Sequence, residues 1–565
     1  MCGIFCMVSK FDNRTDHENK SQHDRCSELH KCPCDKIEKY LGHRGPDKVH
    51  DRRSNLSENW EGCFIGSVLR TQGDDTVSQP IEDENGNLFL WNGDVLYGAL
   101  KTDFECDSKV VFEGFKSDPI STVVKIGGPY AFVFWNASRR QLWFGRDVLG
   151  RTSLLWHVSP VHVTLTSVAH KHSSFSEVPA LGVYMVDLAE ENQVEIQFYP
   201  WAHLKTNFST LSDIPVTTRN TIVHCTLGDR SSRLTWSEGE PSLDELAIYQ
   251  EQTSFASLLE HSEISYRVQN LLEVLTESVK CRVTTHPEVC KNCVRSCNHC
   301  SVAVLFSGGL DSTILAILAH QFVPVNKPID MYNVAFQQKN GSFEVPDRLT
   351  GQASLKELKT LAPNRLWNFI QIDVTREQLD EMRTHTVTDL LHPLMSVLDD
   401  SIGCALWFAA RGEGVLNGLK YSSPARVVLV GMGADEQLGG YTRHRNTLRH
   451  TGQWAALGRE LASDTDNIAR RNLGRDNRIM GDHGRQPRAP FLDERVVAYI
   501  DTLPPWHRCI PVTAWPPGKG DKLLLRLLAH RLGLSNAATF PKRALQFGSR
   551  IANSREKADH ASPRL

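Results

Sequence analysis

A glycine-rich turn between two apolar segments constrains the fold of this chain more than any other feature of its sequence. The turn runs from Ser307 to Ser312 and reads SGGLDS. Residues 302–306 are apolar and residues 313–319 mostly apolar, which predicts a buried strand, a tight turn and the start of a helix. Glycines let backbone N–H groups approach an anion, and a helix N-terminus adds a positive dipole. The turn therefore predicts a phosphate site without the lysine of the usual P-loop, and a turn without a ligand is the weaker alternative.

Polar side chains in this turn add ligand chemistry. Ser307 and Ser312 supply hydroxyl donors, and the carboxylate of Asp311 suits a magnesium ion. The SGGLDS segment resembles the pyrophosphate loop of the ATP pyrophosphatases, enzymes that split ATP into AMP and pyrophosphate. The residues that this resemblance places at ATP are Phe306, Ser307, Gly308, Gly309, Asp311, Ser312, Val334 and Gly431.

The bulk composition limits the class of protein. The chain has 565 residues, 40% of them hydrophobic and 23% charged, which is typical of a soluble protein with at least two domains. A formal net charge of −3 implies no general attraction to nucleic acid or to a membrane surface. No apolar window is long enough to span a bilayer, and the N-terminus lacks a signal-peptide core. The 15 cysteines lack framework spacing, so we expect reduced thiols and a cytoplasmic protein without nucleic-acid or membrane partners.

The N-terminus carries a second candidate chemistry. Removal of Met1 would leave Cys2 with its thiol and a free α-amino group on one residue. An α-amine has a pKa of about 7.7–8.0 and can act as the base for its own thiol. Taken alone, Cys2 is better explained as a small residue that happens to follow the start codon.

Four motifs that follow Cys2 in order change that balance. They read HRGPD at 43–47, WNGD at 91–94, GPYAF at 128–132 and GRD at 145–147. Together with Cys2, and over the chain to about residue 187, they resemble the N-terminal-nucleophile (Ntn) glutamine amidotransferases. The resemblance implies an αββα sandwich, two stacked antiparallel sheets between helix layers. Alternating segments at 87–91, 131–135 and 141–144 are compatible with its strands.

The same resemblance implies the roles of individual residues. Cys2 would attack the side-chain amide of glutamine, giving a thioester and ammonia. The Asn92 side chain and the Gly93 N–H would stabilise the oxyanion. Asp107 and Asp94 would bind the substrate amine, although the family more often has Glu at the position of Asp94.

The family arginine that binds the glutamine carboxylate is matched with a shift. Arg70 stands one position later than expected, and a one-residue shift along a strand turns a side chain to the other face. The N-terminal half is therefore predicted to be a glutaminase weakened by this shift.

A cysteine-rich element lies just before the phosphate turn. Two Cys-x-x-Cys pairs, Cys290 with Cys293 and Cys297 with Cys300, are separated by three residues. Thiolates suit tetrahedral zinc, but this gap is much shorter than in common zinc ribbons. Two interpretations stay open, a structural zinc site and a cysteine-rich insertion loop, and the loop is favoured.

Alternating apolar segments organise the second half of the chain. An apolar repeat at helical spacing predicts an amphipathic helix over 263–281. Buried strands are predicted at 329–336, 367–374 and 427–430, and helices at 355–361 and 399–410. This alternation predicts a parallel α/β sheet that binds ligands at the carboxyl ends of its strands. The predicted domains are an amidotransferase-like domain at 1–187, a linker with an insertion at 188–262, an ATP-pyrophosphatase domain at 263–547 and a tail at 548–565.

Three further motifs narrow the family. They read GMGADEQLGGY at 431–441, RAPFLD at 488–493 and KGDKLLLR at 519–526. With the N-terminal half, they resemble glutamine-hydrolysing asparagine synthetase and indicate a divergent relative. The resemblance implies that ATP adenylates the β-carboxylate of aspartate to β-aspartyl-AMP, and that ammonia from the first domain displaces AMP. Asp311 and Asp435 would hold magnesium, and Lys522 would stabilise charge on the phosphates, so the expected catalytic residues are Cys2, Asp435 and Lys522.

One departure from the family concerns the second reaction step. Asparagine synthetases generally have Glu at the position of Met432, a residue linked to ammonia attack on the adenylate, and methionine cannot accept a proton. The first hypothesis is an ATP- and glutamine-using ligase that makes asparagine from aspartate. The second is a degenerate homologue that acts as a nucleotide-binding or regulatory protein. A tRNA-modifying pyrophosphatase with a zinc cluster ranks third, because the chain lacks the excess of basic residues expected of a protein that binds RNA. A homodimer is left open.

Overall fold

The computed structural model describes most of the chain. The described residues are 2–11, 34–73, 75–102, 105–189, 193–203, 216–219, 221, 223–225, 227, 239–251, 254–287, 289–290, 292–293, 297–511, 515, 518–552, 560, 562 and 564. Most of the polar stretch that follows residue 12, much of the predicted linker and most of the predicted tail lie outside this set.

Strands dominate the first 225 residues. The strands are β1 (Gly3–Lys10), β2 (Lys48–Asn55), β3 (Trp60–Val68), β4 (Ile81–Glu82), β5 (Leu88–Gly93), β6 (Tyr130–Asn136), β7 (Gln141–Arg146), β8 (Leu155–Ser159), β9 (His162–Thr166), β10 (Ser176–Glu177), β11 (Gly182–Asp187), β12 (Ile196–Pro200) and β13 (Val216–Thr218). The helices are α1 (Asp35–Arg44), α2 (Asp107–Ser117) and α3 (Pro119–Val123).

Helices and parallel strands alternate in the rest of the chain. The helices are α4 (Leu243–Glu251), α5 (Phe255–Glu260), α6 (Ser262–Thr284), α7 (Leu310–His320), α8 (Pro346–Leu361), α9 (Arg376–Met382), α10 (Thr388–Leu391), α11 (Val397–Arg411), α12 (Ala434–Leu438), α13 (Thr442–Thr451), α14 (Trp454–Asp466), α15 (Gly474–Gly481), α16 (Glu494–Asp501), α17 (Pro505–Arg508), α18 (Leu523–Arg531) and α19 (Leu545–Gly548). The strands are β14 (Val302–Leu305), β15 (Ile329–Phe336), β16 (Trp367–Val374), β17 (Glu413–Leu416), β18 (Leu419–Ser422), β19 (Val427–Leu429) and β20 (Gln486–Arg488). Short 3₁₀ or π segments are Arg383–Val387, Ala469–Leu473, Pro490–Leu492 and Ala537–Thr539.

Two sheets form the first compact unit. One has the order β10-β8-β9-β1-β3-β2 and the other β13-β12-β11-β7-β6-β5-β4, with neighbours antiparallel except for β12 and β13. Their inner faces share one core, in which Ile4 and Phe64 of the first sheet lie with Leu90 and Val133 of the second. Successive side chains of a strand point to opposite faces of its sheet, so the neighbours of these four residues along each strand point to the outer faces.

Helices cover the outer faces of these sheets. Phe89 and Phe132 of the second sheet pack with Phe112 and Phe115 of α2. Helix α1 packs on β1 and β3, with Leu41 buried. The first unit is therefore the αββα sandwich expected of an Ntn-type domain.

A largely parallel sheet forms the core of the second unit. Its order is β18-β17-β16-β15-β14-β19-β20, and β14 pairs in parallel with β15 on one side and with β19 on the other. The chain therefore reverses its direction of winding at β14, and such a switch point opens a crevice at the carboxyl ends of the strands. The parallel α/β fold predicted for this half is confirmed.

The observed helices extend beyond the predicted ones. The predicted helix at 355–361 is the last part of α8, which starts at Pro346, a residue suited to the first helical turn. Helix α11 starts two residues before its predicted start, because Ser396 caps it in a reciprocal pair with Asp399.

The two compact units do not follow a single boundary in the sequence. The first contains Met1–Cys225, Thr388–Met395 and Asn472–Gly484, and the second contains the other residues. The boundary predicted at 187 lies inside the first unit, because β12 and β13 extend its second sheet. Helices α4 and α5 of the predicted linker belong to the second unit.

The start of the predicted tail is also part of the second unit. Ser549 is buried, and its carbonyl accepts a hydrogen bond of 3.1 Å from the Phe336 N–H. In the part of the chain that the structure describes, no helix combines the length and the apolar character that a membrane span requires.

Candidate active sites

Cys2 lies at the start of β1 and is 8% exposed. Its backbone N–H donates to Asn92 Oδ1 at 2.9 Å, and the N–H of Gly3 donates to Ser67 Oγ at 3.0 Å. A Cβ on Gly3 would lie 2.3 Å from Ser67 Oγ, so only glycine fits beside the cysteine. The Cys2 thiol lies 4.0 Å from the Leu69 carbonyl. These contacts fix the backbone that carries the candidate nucleophile.

Asn92 has one half of its side-chain amide engaged. Its Oδ1 accepts from Cys2, whereas its buried Nδ2 has no hydrogen-bond partner among the described residues. A buried amide donor without a partner costs free energy, so its retention beside a nucleophile favours a role in ligand binding. Gly93 follows at the end of β5, opposite Tyr130 of β6.

Two buried carboxylates lie in the electrostatic environment of Cys2. Asp94 accepts from Thr71 Oγ1 at 3.1 Å and from Gln72 Nε2 at 3.2 Å, and the Val95 N–H donates to Asp107 at 3.2 Å. Burial, with the charge of Asp94 as a second cause, raises the pKa of Asp107 to about 6. Burial also raises the pKa of the Cys2 thiol, and both carboxylates add to that shift.

Arg70 lies one residue beyond Leu69, whose carbonyl faces Cys2. The backbone N–H of Arg70 donates to Asp47 Oδ2 at 2.8 Å. The role of Arg70 in glutamine binding stays a prediction.

A buried arginine of the HRGPD motif supports the N-terminal site, and the sequence analysis assigned it no role. Arg44 is fully buried, and its Nε donates to the Cys2 carbonyl at 3.4 Å. Its two other nitrogens donate to Asn477, one to the carbonyl at 3.2 Å and one to Oδ1 at 2.8 Å. Asn477 lies in α15, which is distant in sequence but part of the same compact unit. A separation of 433 residues leaves no local signal for this contact.

The phosphate turn has the geometry that its sequence predicts. Gly308 adopts a positive φ of 75°, and a Cβ there would lie 2.4 Å from Cα of Gly351 in α8. The Ser354 hydroxyl donates to the Gly308 carbonyl at 2.7 Å. Helix α7 begins directly after Gly309, so its N-terminal N–H groups lie at the turn.

Lys522 joins two loops at the carboxyl ends of neighbouring strands. Its Nζ lies 2.7 and 2.8 Å from the two carboxylate oxygens of Asp311, after β14, and 2.9 Å from Asp435 Oδ1, after β19. Lys522 is 2% exposed and adopts a φ of 52° at the start of α18. A left-handed conformation is unfavourable for lysine, so the surrounding contacts hold it there.

Charge balance keeps these groups ionised. Burial would lower the pKa of Lys522, but the two carboxylates outweigh it and hold the pKa well above its ordinary value. Burial would raise the pKa of Asp435, but Lys522 and Lys542 outweigh it and hold the pKa far below the ordinary range.

Lys542 is a site residue that the sequence analysis missed. Its ammonium forms an ion pair with Asp435, and it lies 5.9 Å from the ring centre of Tyr441. Tyr441 in turn donates to buried Glu436 at 2.5 Å. The sequence offered only a basic residue downstream of the KGDKLLLR motif. No local pattern indicated its partner Asp435, which lies 107 residues away.

The carboxylates of Asp311 and Asp435 fit a magnesium ion. Both are ion-paired to the same ammonium group, so the two carboxylates lie close together, and magnesium prefers such oxygen ligands. The loops also abut, since a Cβ on Gly431 would lie 3.0 Å from Cβ of Asp311. Met432 follows in this loop and is half-buried. Two other predicted ATP residues lie at neighbouring strands of the sheet. Phe306 directly follows β14, and Val334 lies within the adjacent strand β15.

The cysteine-rich element is only partly as predicted. Cys290, Cys293 and Cys297 lie together, with His299 as the fourth member. Cys300 does not join them, because its buried thiol donates to the Val302 carbonyl at 3.0 Å. Burial and the nearby Asp330 carboxylate also hold the pKa of Cys300 well above its ordinary value, which disfavours the thiolate that a metal needs.

Comparisons with known proteins agree with this division of the chain. The family model described as Asparagine synthase matches residues 271–455 and 449–547, and the one described as Glutamine amidotransferase domain matches residues 71–171. Relatives named asparagine synthetase domain-containing protein 1 are 37% identical in Gallus gallus and 36% in Homo sapiens, covering 100% of this chain and 100% and 97% of their own lengths. Asparagine synthetase domain-containing protein YML096W of Saccharomyces cerevisiae is 30% identical, with 92% of this chain and 88% of the relative covered. The chain therefore belongs to the family of asparagine synthetase domain-containing proteins.

Proposed function

We propose that this chain is a glutamine-dependent, ATP-driven ligase that forms the side-chain amide of asparagine from aspartate. The observation that carries the proposal is the contact of Lys522 with both Asp311 and Asp435 at the switch point of the parallel sheet. Two carboxylates, a buried lysine and a glycine turn at one crevice are what transfer of an adenylyl group requires.

The first step proposed is attack of the substrate carboxylate on the α-phosphorus of ATP, with pyrophosphate as the leaving group. Negative charge grows on the departing phosphates, where the ammonium groups of Lys522 and Lys542 and the N–H groups of the glycine turn would stabilise it. Magnesium held by Asp311 and Asp435 would neutralise further phosphate charge. The acyl adenylate that results is the electrophile for the second step.

Ammonia would come from the first unit. The Cys2 thiolate would attack the glutamine amide, with its α-amino group as base once Met1 is removed. The unpartnered Nδ2 of Asn92 would donate to the oxyanion, and Asp94 and Asp107 would receive the substrate ammonium. Release of ammonia leaves a thioester on Cys2, which water then hydrolyses to glutamate.

The second candidate function is nucleotide binding without efficient amide transfer. The observation in its favour is Met432, which follows Gly431 against Asp311 and has no atom that can accept a proton. In that case the adenylate would form and the amide would not, and the chain would act as a regulatory or nucleotide-binding protein.

A comparison of partial reactions tests both candidates on the full chain. Glutamate release from glutamine, aspartate-dependent exchange of pyrophosphate into ATP, and asparagine formation are measured separately. Cys2→Ala is expected to abolish only glutamine-dependent amidation, leaving the exchange and ammonia-dependent amidation unchanged, and Lys522→Ala to abolish the exchange. Met432→Glu is expected to raise asparagine formation without changing the exchange. Exchange without asparagine, in both the natural chain and Met432→Glu, would support the second candidate. If the chain shows neither glutamate release nor pyrophosphate exchange, the ligase is excluded.

A further inference from the structure

A compact group of side chains that could hold a metal ion is formed by residues that belong to neither candidate active site. Its members are Cys290, Cys293, Cys297 and His299, between α6 and β14. One ligand atom from each residue lies within 4.8 Å of the others. Cys290 is fully buried, Cys293 and Cys297 are partly buried and His299 is exposed. Neither half of the proposed reaction uses these residues.

The measured distances match the edges of a zinc tetrahedron. Zinc binds sulfur at about 2.3 Å and nitrogen at about 2.0–2.1 Å, so a tetrahedral angle separates a sulfur and a nitrogen ligand by roughly 3.5 Å. His299 Nδ1 lies 3.5 Å from Cys290 Sγ and 3.3 Å from Cys293 Sγ. The imidazole nitrogen therefore already has the spacing from two sulfurs that a shared zinc ion would give.

Backbone N–H groups support the thiolate form of two of these cysteines, Cys290 and Cys297. The N–H of Asn292 donates to Cys290 Sγ at 3.4 Å, and the N–H of Cys290 donates to Cys297 Sγ at 3.4 Å. Hydrogen bonds to a sulfur favour its charged form, which is the form that binds metal. The first of these bonds runs inside the Cys-x-x-Cys turn itself, so the turn aims its own N–H at its first sulfur.

We propose that Cys290, Cys293, Cys297 and His299 bind one zinc ion as a Cys₃His site. Cys300, the fourth cysteine of the sequence pattern, is not a ligand, because its thiol donates to the Val302 carbonyl. Binding releases the thiol protons and leaves a neutral imidazole, coordinated through Nδ1, with Nε2 directed away from the metal.

The site is structural rather than catalytic. Four protein ligands fill the tetrahedron and leave no position for water or substrate. The group closes the segment between the end of α6 at Thr284 and the start of β14 at Val302. Since β14 leads directly into the phosphate turn, the zinc ion fixes the segment from which the central strand starts.

Metal content of the full-length protein tests the site without reference to activity. Protein purified under reducing conditions without chelator is expected to contain about one zinc per chain. Cys297→Ser and His299→Ala are expected to lower this content at least fivefold. Two control variants, Cys300→Ser and Asn298→Ala, are expected to keep it. Asn298 is a matched control because it lies in the same segment and its side chain contacts Asn326 rather than a cysteine.

Cobalt substitution keeps the test decisive if a variant folds poorly. Cobalt bound to the natural chain is expected to show the absorption of a tetrahedral site with sulfur-to-metal charge transfer from three thiolates. His299→Cys is expected to retain the metal and to raise that charge-transfer intensity by about one third, because it adds a fourth thiolate. The proposal is overturned if the reduced natural chain binds neither zinc nor cobalt. A Cys290–Cys293 disulfide that persists in the natural chain under the reducing conditions of purification would also overturn it. So would loss of zinc in Cys300→Ser with retention in His299→Ala.

Discussion

The two amide atoms of Asn92 differ in their contacts with the described residues of the N-terminal site. Oδ1 holds the backbone of the candidate nucleophile, and Nδ2 is left for a ligand. In the proposed glutaminase reaction, this donor would stabilise the negative oxygen of the tetrahedral intermediate. Asn92 would then both position Cys2 and stabilise the reaction that Cys2 starts.

Replacement of Asn92 separates these two contributions. Asn92→Asp keeps an oxygen that accepts from the Cys2 N–H but removes the Nδ2 donor. We expect kcat for glutamate release to fall about 100- to 1,000-fold, the usual cost of losing one oxyanion donor. In Asn92→Ala, which loses both amide atoms, kcat is expected to fall at least as far. Steady-state assays with thermal melts as the folding control check this, and a loss under threefold in Asn92→Asp would contradict it.

The pKa of Asp107 predicts how glutamate release depends on pH on the acid side of the profile. Its pKa of about 6 means that the carboxylate charge, which would bind the substrate ammonium, is lost as pH falls through 6. An α-amine with a pKa of about 7.7–8.0 already requires deprotonation at higher pH. The slope of log kcat/KM against pH is therefore expected to steepen from about one to about two below pH 6.

The matched variant for this pH effect is Asp107→Asn. It is expected to raise KM for glutamine at pH 8 and to keep a slope of about one down to pH 5, because the second titrating group is gone. If the steeper limb persists in this variant, Asp107 is not its origin.

At the scale of elements, three helix starts assemble the candidate ATP site. The first turns of α7 and α12, which follow β14 and β19, carry Asp311 and Asp435, and Lys522 directly precedes α18. The two strands are 125 residues apart in sequence but hydrogen-bonded neighbours, with Val302 opposite Val427. Parallel pairing brings both carboxyl ends to the same edge, so the sheet itself places the two carboxylates together.

The phosphate turn depends on close packing against α8. In Gly308→Ala, the new Cβ would lie 2.4 Å from Gly351 and would also occupy a positive φ. We expect this variant to lose about 2–5 kcal/mol of stability, the sum of overpacking and a left-handed alanine. Gly341→Ala is the matched control, because Gly341 also has a positive φ but no atom within 4 Å of a Cβ.

Chemical denaturation monitored in the second unit measures this difference. Gly341→Ala is expected to lose only about 1–2 kcal/mol, from backbone strain alone. Equal losses in the two variants would show that the contact with α8 contributes nothing to stability.

At the scale of the whole molecule, the first unit is assembled from three separate stretches of the chain. Helix α15 contributes a fully buried segment in which Asn477 binds Arg44, and Arg478 donates to Ser153 Oγ at 2.9 Å. Arg478 also pairs with Glu177. Buried arginines need such partners, since an unpaired buried charge is strongly destabilising.

A fragment of residues 1–225 is therefore expected not to fold as the unit does in the full chain. It lacks the stretches 388–395 and 472–484 that complete the unit. We expect no cooperative melting transition and at least a 100-fold loss of glutamate release relative to the full chain. Calorimetry and the glutaminase assay check this on one preparation. A fragment that melts cooperatively and keeps full activity would show that α15 is dispensable.

The sequence revealed the parts of the molecule that local patterns encode. The apolar run before Ser307, the glycine turn and the apolar helix after it predicted β14, the turn and α7. Motifs likewise located Cys2, Asn92 and Lys522, whose positions the structure now describes.

Contacts between distant segments account for most of what the sequence missed. The pairing of Lys542 with Asp435 and of Arg44 with Asn477 joins residues 107 and 433 positions apart. Strands β12 and β13 lie within the predicted linker, because short edge strands have little periodicity of their own to predict them. The choice of His299 over Cys300 depends on which neighbouring side chain turns inward, and spacing alone does not decide that.

The proposed ligase depends on Lys522, and aspartate-dependent exchange of labelled pyrophosphate into ATP tests that dependence most directly. We expect magnesium-dependent exchange by the full natural chain and by Cys2→Ala, and a loss of at least 100-fold in Lys522→Ala. Lys542→Ala is expected to lose less, because in the described part of the chain Lys542 pairs with Asp435 alone of the two carboxylates, whereas Lys522 pairs with both. Exchange that survives in Lys522→Ala, or that is absent from the natural chain with ATP, magnesium and aspartate at saturation, would contradict the account.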